Sequence, residues 1–244
     1  MYGYGYGYGF LSGLMWDPTY FLVIIGAILS LVASARVRST YSRYSAVRSR
    51  SGMTGAQAAQ RILHSQGIYD VQIIPVSGSL TDHYNPAKKT LALSQSVYGS
   101  ASVAAVGVAA HECGHAVQHA RRYFPLSLRG AMVPVVNFGS MLSWPLIIIG
   151  ILMNQYTIGM TVIRIGIILF SLVVLFQLVT LPVEINASRR AMRILEDTAI
   201  LDREELGYTG RVLRAAAMTY VAGAAASILQ LLRILMIANG GRRR

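Results

Sequence analysis

Five consecutive residues carry the sharpest chemical signal in the chain: His111-Glu112-Cys113-Gly114-His115, an H-E-x-x-H run. Two imidazoles four residues apart on a helix lie about 40° apart on one face, so both can reach a single ion. Glu112 then flanks the coordination position they leave open, which is the zincin arrangement of two His ligands and a glutamate base. The chain holds five His and five Glu in 244 residues, and with positions treated as independent such a run arises by chance in about 0.002 chains of this length. Cys113 falls about 200° around the helix from His111 and is expected to be a small buried residue, not a ligand.

A zinc ion that keeps one position for water needs a third protein ligand. His119 continues the stripe, but it stands about 12 Å along the helix axis from His111. No glycine turn breaks the helix, as the metzincin pattern requires, so His119 is expected beside the metal or at an interface. Past the motif the carboxylates are Glu184, Glu196, Asp197, Asp202, Glu204 and Glu205. The last five lie in an Arg-rich stretch where surface ion pairing explains them. Glu184 stands at the end of a long apolar run, just after Pro182, where an unpaired carboxylate is costly. It is the expected third ligand, brought back to His115 by an out-and-back membrane hairpin.

Composition demands that hairpin. The chain is 54% hydrophobic and only 13% charged, against about a quarter charged in soluble domains, which implies an integral membrane protein and excludes disorder. The net charge of +12 suggests a nucleic-acid binder until position is considered. Eleven basic residues lie between Arg36 and Arg129 and six between Arg189 and Arg214, in the stretches separating apolar runs. Cytoplasmic loops have that composition, so no nucleic acid is expected as a partner. A single Cys permits no internal disulfide.

The expected fold is mainly α and integral to the membrane, with three or four membrane helices and a small α+β zincin-like extramembrane domain. Residues 1–15 are a mobile Tyr/Gly tail, and 16–36 a first membrane helix with Trp16 as an interface anchor. Ala33-Ser34-Ala35 has the form of a signal-peptide cleavage site, but five arginines follow it and no positive charge precedes its apolar run. Residues 37–130 form the cytoplasmic part. In it Thr54 caps a helix ending at Gly67, Val71–Val76 and Thr90–Leu93 are short β-prone runs with a turn at 82–86, and 102–120 is a buried helix bearing the motif. The strand after that turn offers an edge for an extended substrate. Residues 131–181 are the membrane hairpin, turning at 153–156. Pro182 then ends its second helix, and a separate amphipathic helix over 182–214 holds Glu184. Residues 215–238, with Arg233, are a fourth span or a packed helix. Four spans starting outside would leave Arg242–Arg244 outside, against the positive-inside tendency.

The runs DHYNPAKKTLALSQSVY, VAAHECGHAVQHA and LPVEINASRRAMRIL, in this order, resemble the putative neutral zinc metallopeptidase (YugP-like) family of bacterial membrane proteins over nearly the whole chain. More distantly, the chain is similar to HtpX-type and CAAX-processing membrane proteases. The resemblance implies one zinc ion held by His111, His115 and Glu184, with Glu112 catalytic, in a multi-pass protein of the bacterial plasma membrane. Two positions depart from the pattern: Ser188 stands four residues after the ligand Glu, where distant relatives carry an acid, and Asn186 where closer relatives carry Asp. With His119, these are the expected outer partners of the ligands.

The expected chemistry is peptide hydrolysis. Zinc acidifies a water and polarises the carbonyl, while Glu112 moves the proton to the leaving amine. His83, Tyr220 and Arg203 are unranked candidates for stabilising the oxyanion. A protein or peptide substrate, membrane lipid, and a second copy or a membrane partner are the expected partners. The rival is a non-enzymatic membrane scaffold with structural zinc or none; it has no use for Glu112.

Overall fold

The apolar run beginning at Tyr20 does not end at the arginines that follow it. In the computed structural model, which describes residues 18–153 and 157–240, α1 spans Tyr20–Ser45 and carries Arg36, Arg38 and Arg43 on its last turns. The Tyr/Gly tail, Trp16, residues 154–156 and Arg242–Arg244 lie outside the described residues. Helix α2, Gly55–Ser65, opens with a reciprocal capping box. The Thr54 hydroxyl accepts from the Gln57 N–H at 3.3 Å, and the Gln57 side chain accepts from the Thr54 N–H at 2.9 Å. The chain leaves α2 through Gly67 at φ +72°, a left-handed conformation that glycine adopts without strain.

Three strands follow: β1 Gln72–Val76, β2 His83–Asn85 and β3 Thr90–Ser94. Their order is β1-β3-β2, with β1 parallel and β2 antiparallel to β3. Two expectations change here. The 82–86 segment is not all turn, because His83–Asn85 pairs with β3, and the turn starts at Asn85, whose Oδ1 accepts from the Ala87 and Lys88 N–H groups. The strand after the turn is central, so the free edges belong to β1 and β2. The short α3, Gln95–Tyr98, leads to α4, Val103–Ala120, capped by Ser102. Helices α5 Phe124–Leu152, α6 Thr157–Asp197 and α7 Arg203–Gly240 complete the chain.

Four helices are long and apolar enough to cross a membrane: Tyr20–Ser45, Phe124–Leu152, Ile158–Asp197 and Arg203–Asn239. The protein is therefore mainly α, with four candidate spans and a small α+β part, and the C-terminal apolar helix qualifies as the fourth. Pro182 does not end its helix: α6 runs unbroken to Asp197. A proline removes one helical hydrogen bond, but here the turns after it are held by packing. Val183, Ala187, Ala191 and Leu195, four residues apart, are all fully buried on one stripe. The boundary drawn between 214 and 215 is likewise absent, since α7 continues through it. Helix α7 starts instead where Asp202 and Glu205 cap each other, with the Arg50 guanidinium paired to Asp202 and Glu204.

The chain divides into two compact units. One comprises the described parts of 1–32, 133–177 and 222–244. In it α5 and α6 meet at glycines: a Cβ at Gly166 would lie 2.7 Å from Ile147 Cγ1, and one at Gly150 would lie 2.8 Å from the Gly159 carbonyl. Ile147, Phe170, Val174 and Ile234 form its core.

The other unit, 33–132 and 178–221, contains the sheet, α2, α4 and the adjoining parts of the long helices. Its core joins Ala59, Ile62 and Leu63 of α2, Leu91 and Leu93 of β3, Ala110, Cys113 and Val117 of α4, and Leu195 of α6. A buried Leu or Ile side chain contributes about 1.5–3 kcal/mol. Helix α4 is buried along almost its whole length, so its apolar character serves this core. At Gly114, between the motif histidines, a Cβ would stand 2.5 Å from the Ala187 carbonyl oxygen of α6. Only a residue without a side chain lets the two backbones meet there. Gly114→Ala is expected to lower stability by about 1–3 kcal/mol through overpacking. In thermal unfolding, Gly130→Ala, inside α5 where a Cβ meets nothing within 4 Å, serves as the comparison and is expected to leave stability equal or raise it by up to about 1 kcal/mol.

Candidate metal centre

The contact at Gly114 brings the second turn of one helical stripe against the start of another. From α4 come His111 and His115, and from α6 comes Glu184. Glu184 Oε2 lies 3.2 Å from His111 Nε2 and 3.5 Å from His115 Nε2, and the two rings stand edge to face with centroids 4.8 Å apart. Among the described residues this is the one group of three or more His, Cys, Asp or Glu side chains close enough to share an ion, its ligand atoms all within 4.8 Å of one another.

These separations fit a metal. Tetrahedral zinc with ligands at 2.0–2.1 Å separates neighbouring donor atoms by about 3.4 Å, as found on both sides of Glu184 Oε2. The donors are two imidazoles and one carboxylate, a set known for catalytic zinc. Glu184 is only 2% exposed. Its other oxygen, Oε1, lies 3.3 Å from Arg129 Nη1 of α5, which leaves Oε2 for the histidines.

Behind the ligands lies a second layer of polar groups. Ser188 Oγ, one turn after Glu184, is 3.1 Å from His111 Nδ1. Gln118 Oε1 is 3.0 Å from His115 Nδ1. The Gln118 amide donates to the Val183 carbonyl at 2.8 Å and to Asn186 Oδ1 at 3.0 Å, and Arg190 Nε donates to the same Asn186 oxygen at 2.7 Å. Burial works against a charged His115, yet the Glu184 carboxylate, the Glu112 charge and the Gln118 carbonyl outweigh it and raise the imidazole pKa above its ordinary value. The cluster thus favours a cation.

Glu112 is buried beside His111 at 8% exposure. Cys113 points away: its thiol reaches the Ala59 carbonyl of α2 at 3.6 Å, and burial pushes its pKa well above the usual thiol value, so it offers no thiolate. His119 is exposed and outside the cluster, with Nδ1 2.9 Å from the Tyr84 hydroxyl of β2.

The three unranked candidates separate. His83 is exposed, its ring bonded to the Thr81 carbonyl at 2.9 Å, and strand alternation turns it to the face opposite Tyr84. Arg203 is exposed at the start of α7. Tyr220, on α7, lies within interaction range of Glu184, Arg129 and Glu112.

Sequence reasoning missed two residues. Gln118 carried a signal, being a polar side chain three residues after His115 in an otherwise apolar buried helix. Arg129 looked like one more loop charge, and only the fold pairs it with Glu184.

Comparison with known proteins agrees with this chemistry. A family model described as putative neutral zinc metallopeptidase matches residues 19–239. The putative membrane protease YugP of Bacillus subtilis (strain 168) is 46% identical over 222 residues, covering 91% of this chain and 97% of that protein. No solved structure matches the chain.

Removing a hydrogen-bond partner behind a metal ligand typically lowers affinity about 10- to 100-fold. Ser188→Ala is expected to weaken Zn2+ binding by that factor in chelator competition, with the helical circular dichroism spectrum unchanged.

Proposed function

The chain belongs to the putative neutral zinc metallopeptidase family, and from that premise we propose that it is a membrane-embedded zinc metalloendopeptidase. The observation that carries this reading is the convergence of Glu184 Oε2 with two imidazole nitrogens at 3.2 and 3.5 Å, with Glu112 at their side. His111 and His115 through Nε2 and Glu184 through Oε2 would hold one zinc ion. When bound, such an ion supplies an acidified water and a polarised peptide carbonyl.

The chain's own residues do the rest. Glu112 accepts a proton from the attacking water as its oxygen bonds to the carbonyl carbon. It then passes that proton to the amine nitrogen as the C–N bond breaks. Arg129 and Tyr220 are the donors placed for the negative charge that gathers on the former carbonyl oxygen. Arg129 uses one of its N–H groups on Glu184 and keeps others for substrate. Tyr220 adds a neutral donor from a different helix.

The protein is a membrane protein of the same type as its relative, and we place it in a bacterial plasma membrane with four passes. The Arg-rich stretches that flank the site in sequence favour the cytoplasmic side for the active site. Its substrates are then peptide bonds of membrane or cytosolic proteins, reached beside the lipid surface. A second copy or another membrane protein is a fitting partner for its exposed apolar helix faces, whereas its basic stretches suit headgroups better than nucleic acid.

The test is cleavage of a peptide library by detergent-purified, zinc-loaded protein. Glu112→Gln is expected to lower turnover by about 10²- to 10⁴-fold, the usual worth of a general base, while zinc per chain stays the same. Equal cleavage by both forms, or none by zinc-loaded wild type, contradicts the proposal.

A further inference from the structure

Which nitrogen of a histidine binds metal depends on which one carries the proton, and that is decided by the hydrogen bond on the other side of the ring. For His115 the partner is Gln118 on the next turn of α4, at 3.0 Å from Nδ1. A glutamine amide has one end that donates and one that accepts, and either could face the ring until something fixes its orientation.

The main chain supplies that constraint. The other end of the Gln118 amide is 2.8 Å from the Val183 carbonyl oxygen, and a backbone carbonyl can only accept. The NH2 group must therefore face Val183, which turns Oε1 toward His115. The same NH2 group has a second acceptor in Asn186 Oδ1 at 3.0 Å, and that oxygen is itself fixed by Arg190 Nε at 2.7 Å. Because Oε1 only accepts, Nδ1 of His115 must carry the hydrogen. In the neutral ring Nε2 is then the nitrogen with the lone pair, and it is the one that faces Glu184 Oε2, 3.5 Å away.

Gln118 is fully buried, so no water competes for these bonds. An unsatisfied amide there is costly, which makes the alternative orientation unfavourable at both ends of the side chain. The residue before Glu184 thus fixes, through one amide, the ring of a histidine on another helix.

We propose that Gln118 is a positioning residue that locks His115 in the tautomer protonated at Nδ1, and that the Val183 carbonyl of α6 sets its orientation. The lock rests on the zinc reading above. It couples the ligand from α4 to the same turn of α6 that supplies the ligand Glu184, so the two helices must be docked for His115 to present the correct nitrogen.

The test reads the tautomer directly. Nitrogen-15 spectra of histidine-labelled, zinc-loaded protein, with the His115 signal identified by its loss in His115→Gln, are expected to show Nδ1 protonated and Nε2 bound to metal. Gln118→Met keeps the size and removes the acceptor. It is expected to lower zinc affinity by about 10- to 100-fold. An unprotonated Nδ1 in zinc-loaded wild type overturns the inference alone, and this reading stands even if Gln118→Met fails to fold. A folded Gln118→Met with unchanged zinc affinity and an unchanged His115 tautomer also overturns it, leaving Gln118 a packing residue. Wild type that binds no zinc overturns the metal reading on which the inference rests.

Discussion

Glu184 places a carboxylate oxygen against two imidazole nitrogens at a point where it is 2% exposed to solvent. Bare lone pairs facing one another in a medium of low dielectric repel, and burying a carboxylate without compensation costs several kcal/mol. Arg129 offsets the charge at Oε1, so at Oε2 either a hydrogen on each facing nitrogen or a cation must stand between the lone pairs. A proton on one imidazole is a partial answer, which the raised pKa of His115 expresses. A divalent metal satisfies all three donors at once, and the distances suit one. The rest of this unit is arranged to hold those three atoms at that separation.

Helix α4 is buried along almost its whole length, which holds His111 and His115 in place. Its apolar face packs on α2, β3 and the later turns of α6, and at Gly114 it touches the α6 backbone itself. Hydrogen bonds then aim the rings: Ser188 behind His111, and Gln118 behind His115. Each of the two histidines is thereby held by a contact from α6, directly or through one amide. Such double anchoring is what keeps a metal site within the few tenths of an ångström that coordination tolerates. Continuity through Pro182 matters for the same reason, because Glu184 is the second residue after it on the same unbroken helix.

What could be read from the sequence was what depends on local geometry or on rarity. The two histidines share a helix face by spacing alone. Glu184 stood out as an acid at the end of an apolar run, and Thr54 and Gly67 marked the ends of α2 by their intrinsic preferences. What could not be read depends on partners distant in the chain. The three residues of β2 have little strand character of their own; they pair because β3 lies beside them and the Tyr84 hydroxyl meets His119. Pro182 obeys no local rule because the stripe Val183, Ala187, Ala191 and Leu195 holds the turns that follow the lost bond. Arg129 was one arginine among many until α5 set it against Glu184. Gln118 lies between these cases, since its spacing from His115 was visible but its second partner, the Val183 carbonyl, was not.

The central claim is that two imidazoles and one carboxylate of this chain converge on a single zinc ion. Zinc K-edge X-ray absorption of the purified protein measures that coordination directly. The account predicts one zinc per chain with only nitrogen and oxygen neighbours, two of them imidazoles, and a shell that loses an oxygen contribution when Glu184 is replaced by Ala. A sulfur neighbour, a third imidazole, or a coordination shell indifferent to Glu184 would contradict it.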